Sequence, residues 1–261
     1  MNHALKRQPA RGPGQAPRIF VVVAAYNEER KIGGVLDDLR TYGYRNIVVV
    51  DDASADRTSE VARSRSVQVV RHARNRGQGG ALRTGIRTAL AQGAEIIITF
   101  DGDGQHRAAD IAEVVAPVLQ GKADVALGSR FLGKALGIQK RKWLTLKGSI
   151  LVERLLLGMK LTDVHNGFRA LSRKAAETIE ITCDGMAHAS EIVAEIRDHS
   201  MRYVEVPVTI LYDEYTKQKG QSILNSFGIF KEIMQMKRQR RLSHHPTAGQ
   251  GRAGSLTLIF L

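Results

Sequence analysis

The chain has 261 residues and a formal net charge of +13, from 39 Lys and Arg against 26 Asp and Glu. This length suits one large α/β domain or two small ones, a lone cysteine at Cys183 excludes an intramolecular disulfide or a cysteine-built zinc cluster, and no run reaches the roughly 18 apolar residues of a bilayer span. The charge fits nucleic acid, an anionic membrane surface or a phosphate-bearing substrate, but helix-turn-helix, zinc-finger and aromatic RNA-binding signatures are absent and only 5% of residues are aromatic, so no nucleic acid partner is expected.

Residues 1–17 are rich in Arg, Pro and Gly, which predicts a disordered basic arm and neither a signal peptide nor an anchor. Single cysteine usage predicts a reducing, cytoplasmic setting. Periodicity then predicts a strand over 19–24 and a helix over 28–42 with Ile32, Val35, Leu36 and Leu39 on one face. A strand follows over 47–50, a helix over 58–65 and a strand over 67–70. The glycines at 77–80 lead into a helix over 81–91, then a strand ending at Asp101, a helix over 109–119 and a strand over 125–128. Such alternation predicts an α/β fold, a mainly parallel sheet flanked by helices on both faces.

After Arg130 the rhythm changes to a basic loop, a helix over about 143–157, a helix around 190–199 and strands near 203–206 and 208–211. These read as a second half of one domain over 18–222. Residues 223–241 carry Ile223, Leu224, Phe227, Ile229, Phe230, Ile233 and Met234 ahead of Lys237, Arg238, Arg240 and Arg241. That pattern predicts a basic amphipathic helix, docked on a membrane surface or membrane partner or packed on its own domain. A loose tail is expected over 242–261.

The chemistry concentrates where the apolar run 96–100 ends in Asp101-Gly102-Asp103-Gly104-Gln105-His106. In open α/β sheets ligands bind at strand C-termini. Two carboxylates one residue apart, in a backbone that glycines let turn tightly, suit a hard cation that itself holds a diphosphate. The same residues also read as an acidic turn. His106 reads as a loop residue rather than a ligand, because oxygen donors suffice for such a cation. The strand ends at Ala24-Ala25-Tyr26-Asn27-Glu28 and at Asp51-Asp52-Ala53-Ser54 place polar groups where a base and ribose would sit. Gly77-Gln78-Gly79-Gly80 lacks the G-x-G-x-x-G spacing, which argues against a dinucleotide fold.

Together with Gly128-Ser129-Arg130-Phe131, Thr162-Asp163 and Gly167-Phe168-Arg169, these motifs make residues 19–224 resemble an inverting GT-A glycosyltransferase of the dolichyl-phosphate mannose synthase type. The resemblance implies a Rossmann-like GT-A domain transferring a hexose from a nucleoside-diphosphate sugar to a polyprenyl phosphate. It implies a nucleotide pocket lined by Ala25, Tyr26, Glu28 and Asp52, with the Asp52 carboxylate receiving a base N–H, although Asp52 also suits a helix N-terminus. It further implies that Asp101, Asp103 and Gln105 hold Mg²⁺ or Mn²⁺ against the diphosphate, and that Arg130, Arg141 and Thr145 grip the acceptor phosphate.

Arg169 is implied either beside the diphosphate or in an internal ion pair with Asp163. The family's late Arg-x-x-Gly-x-Ser-Lys segment reads here Lys217-Gln218-Lys219-Gly220-Gln221-Ser222-Ile223, so Lys217, Lys219 and Ser222 are expected at the diphosphate without arginine's fork. A lipid phosphate is already anionic and needs no strong base, whereas a sugar hydroxyl acceptor would need one, with Asp163 or Glu191 as candidates. Lipid chemistry without a spanning segment implies a peripheral enzyme at the cytoplasmic membrane face, with a small membrane subunit as a possible partner. Three other readings stand beside this one: transfer to a saccharide hydroxyl, a sugar nucleotidyltransferase, and a basic nucleic-acid binder. The second is disfavoured by Tyr26-Asn27-Glu28 where a glycine-rich loop belongs.

Overall fold

The computed structural model describes residues 16–215. Most of the expected arm over 1–17, the segment with Lys217, Lys219 and Ser222, the helix over 223–241 and the tail over 242–261 lie outside the described residues. The first half runs β1 (Ile19–Ala25), α1 (Ile32–Thr41), β2 (Ile47–Asp51), α2 (Thr58–Arg63), β3 (Gln68–Arg71), α3 (Gly77–Ala91) and β4 (Ile96–Asp101). A 3-10 turn at Ala108–Asp110 leads to α4 (Ile111–Leu119). Then come β5 (Val125–Leu136), α5 (Lys140–Leu157), β6 (Arg169–Ser172), α6 (Arg173–Thr178), α7 (His188–Asp198) and β7 (Tyr203–Leu211).

The strands form one seven-stranded sheet in the order β3-β2-β1-β4-β6-β5-β7. All neighbours are parallel except β6, which runs antiparallel to both β4 and β5. Each central strand is buried on both faces, as a sheet covered by helices on each side requires. In β1, Val21 and Val23 face one apolar core with Leu36 of α1 and Val114 of α4. Phe20 and Val22 face the other, with Leu82 of α3 and Ile192 of α7. The period-2 alternation of side chains therefore splits one apolar run between two cores.

Several expected boundaries shift. The helix expected over 81–91 begins at Gly77, so the glycines form its first turn. The strand expected to stop at residue 128 continues through the Gly-Ser-Arg segment to Leu136, which turns much of the expected basic loop into β structure. The last two expected strands are one, paired with β5 on both sides of an irregularity between Ser129 and Lys134. The sequence reading contains neither β6 nor α6.

Candidate active site

The sheet register sets the site. Asp101 pairs with Ala24 and Asp51 with Ala25, so β1, β2 and β4 end together on one edge. The loops beyond are laced to each other. Asn27 donates its backbone N–H to Ser54 Oγ at 2.9 Å, its own Oδ1 accepts from the Ala55 N–H at 2.8 Å, and Glu28 N–H reaches Thr58 Oγ1 at 2.8 Å. Asn27 takes a left-handed φ of 54°, which asparagine tolerates better than most residues. Ala25 and Glu28 are buried there, while the Tyr26 ring stands 45% exposed at the rim.

Asp51, which ends β2, and Asp52, just beyond it, have separate structural duties. Asp51, fully buried, accepts from Ser54 N at 2.9 Å and from Arg71 Nη1 at 2.8 Å. Asp52 accepts from the backbone N–H groups of Arg76 at 2.9 Å and Gly77 at 2.7 Å, and lies 2.6 Å from His72 Nδ1. A carboxylate at a helix N-terminus meets both orphan donors and the positive end of the dipole, so Asp52 caps α3 from a distant strand. The same helix start is crowded by the loop at 183–185, whose Asp184 carbonyl accepts from Gly79 N at 2.9 Å.

Capping α3 brings Gln78 to the carboxylates. Its Nε2 donates to Asp101 Oδ1 at 2.7 Å, while His106 Nε2 lies 2.9 Å from Asp101 Oδ2. His106 packs edge-on to Phe100, ring centroids 5.2 Å apart, and against Phe168 at 5.1 Å. Burial alone would raise the Asp101 carboxyl, but His106, His188 and Arg169 together hold it below the usual carboxylate range. Asp103 behaves oppositely: burial, and then the Asp101 charge, push it up to about 6. Gln105 supplies a backbone N–H to Asp103 Oδ1 at 3.0 Å and its carbonyl to Leu211 N–H at 2.9 Å.

Among the described residues no group of three or more His, Cys, Asp or Glu side chains is arranged to hold a metal ion. The pair Asp101 and Asp103 nevertheless fits a hard divalent cation. Both are oxygen donors, and their mutual repulsion in a desolvated site is the electrostatic condition that such a cation relieves. The remaining ligands would come from outside the protein's acidic side chains.

On the other side of the edge, β5 carries Ser129 and Arg130. Arg130 is buried, and its Nε and backbone N–H reach Asp163 Oδ2 at 2.6 and 3.0 Å, while Nη1 donates to the Tyr212 hydroxyl at 2.7 Å. Despite its burial, Asp163 and Tyr212 raise the guanidinium further above its ordinary range. Glu205 of β7 holds the Asp163 loop by accepting from Thr162 N at 2.8 Å and Asp163 N at 3.1 Å. The Arg169 guanidinium is buried and donates to the Val164 carbonyl at 3.2 Å; Asp163 is paired with Arg130 instead. Glu191 accepts from the backbone N–H groups of Thr182 and Cys183, each at 2.9 Å. Arg141 and Thr145 fall on α5, Thr145 exposed, and the Arg141 side chain lies outside the described residues.

The structure thus gathers Ala25, Tyr26, Glu28, Asp52, Asp101, Asp103, Gln105, Arg130 and Asp163 at the C-terminal edge of the sheet or on the loops beyond it. It adds Gln78, His72, Glu205 and Tyr212, which the motifs did not single out. The one sequence signal for Gln78 is a polar residue between glycines at a helix start. The other three act through partners distant in sequence, and no local pattern reveals them.

Residues 20–180 match the model of the family described as Glycosyl transferase family 2. A protein of Methanocaldococcus jannaschii described as uncharacterized is 44% identical over 222 residues, covering 83% of this chain and 91% of its own. The UDP-N-acetylglucosamine–dolichyl-phosphate N-acetylglucosaminyltransferase of Methanococcus voltae is 31% identical, covering 84% of this chain and 96% of its own. Glucosyl-3-phosphoglycerate synthase from Mycobacterium tuberculosis, solved with Mn²⁺, UDP and phosphoglyceric acid, superposes with a TM-score of 0.66 at 19% identity, covering 86% of this chain and 78% of that one. This likeness identifies the mixed, mostly parallel sheet as a GT-A fold. With most of its length matched by the family model and related sequences spanning four-fifths of it, the chain belongs to glycosyltransferase family 2.

Proposed function

We propose that this glycosyltransferase moves a hexose, with inversion, from a nucleoside-diphosphate sugar to a polyprenyl phosphate at the cytoplasmic membrane face. The observation that carries the acceptor is the commitment of both candidate bases. Asp163 is buried with one oxygen held by Arg130, and Glu191 is buried with its carboxylate on the 182–183 backbone, so neither reaches the surface where a sugar hydroxyl would be deprotonated. An acceptor that arrives anionic needs no such base. The Methanococcus voltae relative, named for a dolichyl-phosphate acceptor, supports the same choice. Among the described residues no helix is long and apolar enough to cross a membrane, so a lipid acceptor would be met at the bilayer surface.

In this reading Ala25, Tyr26 and Glu28 line the nucleotide pocket, and Asp52 shapes it through α3 rather than by offering a free carboxylate to the base. Arg130, with Arg141 and Thr145 of α5, holds the acceptor phosphate. Lys217 and Ser222 contribute to the donor diphosphate. A phosphate oxygen forms the new bond to the anomeric carbon as the bond to the diphosphate breaks, and the nucleoside diphosphate leaves with the electron pair. No proton is transferred in that step. Mg²⁺ or Mn²⁺ held by Asp101 and Asp103 would offset the charge that grows on the diphosphate.

A donor panel of UDP-N-acetylglucosamine, UDP-glucose and GDP-mannose, assayed with a polyprenyl phosphate and Mg²⁺ or Mn²⁺, tests the proposal. The expected outcome is a glycosyl phospholipid with one donor, lost in Asp103→Ala. Turnover with saccharide acceptors alone would overturn the acceptor, and full activity in Asp103→Ala would overturn the metal assignment.

A further inference from the structure

Beyond Leu127, β5 has only β7 as a strand neighbour, and its residues alternate between core and solvent. Ala135 and its partner Ile210 face the apolar core. Leu132, Lys134 and Leu136 point the other way and are exposed, and Leu211, the partner of Leu136, is exposed beside them. Side chains two apart on a strand share a face, so these residues make one stripe. Helix α5 repeats the pattern: Lys140, Leu144 and Lys147 are exposed at the spacing of one helix face. The helix lies against this end of β5 through the Phe131 and Trp143 rings, whose centroids are 4.4 Å apart.

Among the described residues five leucines are exposed, and four of them are here: Leu132 and Leu136 at 50%, Leu144 at 67% and Leu211 at 36%. Single exposed apolar residues are ordinary, whereas a group on two adjoining elements marks an interaction surface. The charge of the region selects the partner. Residues 125–152 hold Arg130, Lys134, Lys140, Arg141, Lys142 and Lys147 and not one Asp or Glu. A second copy would bring the same sign of charge to the contact, which opposes a symmetric pairing. Leucines ringed by lysines suit instead a surface that is anionic on top and apolar beneath.

We propose that this face of β5, β7 and α5 docks on an anionic lipid bilayer, with the four leucines entering the interface and Lys134, Lys140 and Lys147 meeting the headgroups. Arg130 precedes Leu132 by two residues of the same strand, about 7 Å, so docking brings a phosphate anchored in the bilayer within reach of the site. That consequence rests on the lipid acceptor proposed above; the docking itself does not.

The test is flotation of the full chain with vesicles of phosphatidylglycerol and, separately, of phosphatidylcholine. Trp143 is the one tryptophan of the chain and borders the face, so its emission reports docking without a label. The parent is expected to bind the phosphatidylglycerol vesicles with a shift of emission to shorter wavelength, and to be released by salt. Leu132→Ser, Leu136→Ser and Leu144→Ser combined should weaken the partition about tenfold or more, because three exposed leucines no longer leave water. Lys134→Gln with Lys147→Gln should weaken it about tenfold for phosphatidylglycerol. Leu119→Ser is the control, an equally exposed leucine at the end of α4, and should stay within about twofold of the parent. Thermal unfolding of each variant separates misfolding from lost docking.

Glycosyl transfer separates the two readings. Loss of transfer to polyprenyl phosphate in vesicles by the triple leucine variant, with transfer to farnesyl phosphate in solution retained, supports docking and the lipid acceptor together. Docking by the parent without transfer to either phosphate keeps the surface and removes the acceptor. Failure of the parent to bind phosphatidylglycerol vesicles, or equal binding by the triple variant, overturns the surface, and transfer to farnesyl phosphate would then stand without it. A parent dimer in sedimentation that the triple variant dissolves, with no vesicle binding, gives the face to a second copy and also overturns the proposal.

Discussion

Asp101 is gripped on both oxygens, by Gln78 and His106, and a third neighbour comes close without bonding. A Cβ added at Gly167 would sit 2.9 Å from Asp101 Oδ2 and 3.0 Å from Oδ1. The Asp101 side chain is too short to swing clear while keeping both hydrogen bonds, so Gly167→Ala must rotate the carboxylate. We expect kcat to fall by about tenfold or more, which corresponds to roughly 1.4 kcal/mol in the barrier, while urea unfolding changes little. Activity within twofold of the parent would show that the orientation of Asp101 is not critical. The acidic pair itself is legible in the sequence, because an apolar run and two glycines frame it. Its grip is not: Gln78 and Gly167 reach Asp101 only after the sheet brings α3 and the start of β6 to the same edge.

The first turn of α3 sets two effects against each other at the scale of an element. Propensity favours alanine over glycine in a helix by about 1 kcal/mol. Packing runs the other way, because a Cβ at Gly79 would lie 2.0 Å from the Cys183 carbonyl oxygen and 2.8 Å from His188 Cβ. The first obstacle is backbone held by Glu191, so it does not yield cheaply. Gly79→Ala should therefore lower the unfolding free energy by about 1–3 kcal/mol, the cost of forced overpacking, and a stabilised variant in urea titration would contradict this account. The sequence reading started the helix only after these glycines because their purpose, the close approach of a loop about a hundred residues away, has no local signature. β6 escaped notice for a related reason. Its four residues, Arg-Ala-Leu-Ser, show neither alternation nor β-branching, and they join the sheet because β4 and β5 leave a gap that an antiparallel segment fills.

At the scale of the molecule, His188 joins the two halves. It opens α7, its Cβ abuts α3 at Gly79, and its Nδ1 lies 2.8 Å from the Gly185 carbonyl, which makes Nδ1 the protonated nitrogen. Burial and then the Arg169 charge lower its pKa from 6.5 to about 4. The unfolded chain therefore takes up a proton below pH 6.5 that the folded chain refuses until about pH 4, so acidification through that window favours unfolding. The shift of about 2.5 units corresponds to about 3 kcal/mol at full extent. The raised Asp103 carboxyl acts with the opposite sign: its folded form binds a proton more readily, which adds stability as pH falls from about 6. The parent profile alone thus conceals both, and the informative quantity is a difference. His188→Gln keeps a donor for the Gly185 carbonyl and cannot titrate. The unfolding free energy of the parent minus that of His188→Gln should fall by about 3 kcal/mol between pH 7 and pH 4, and parallel profiles would mean that this histidine carries no buried neutral state.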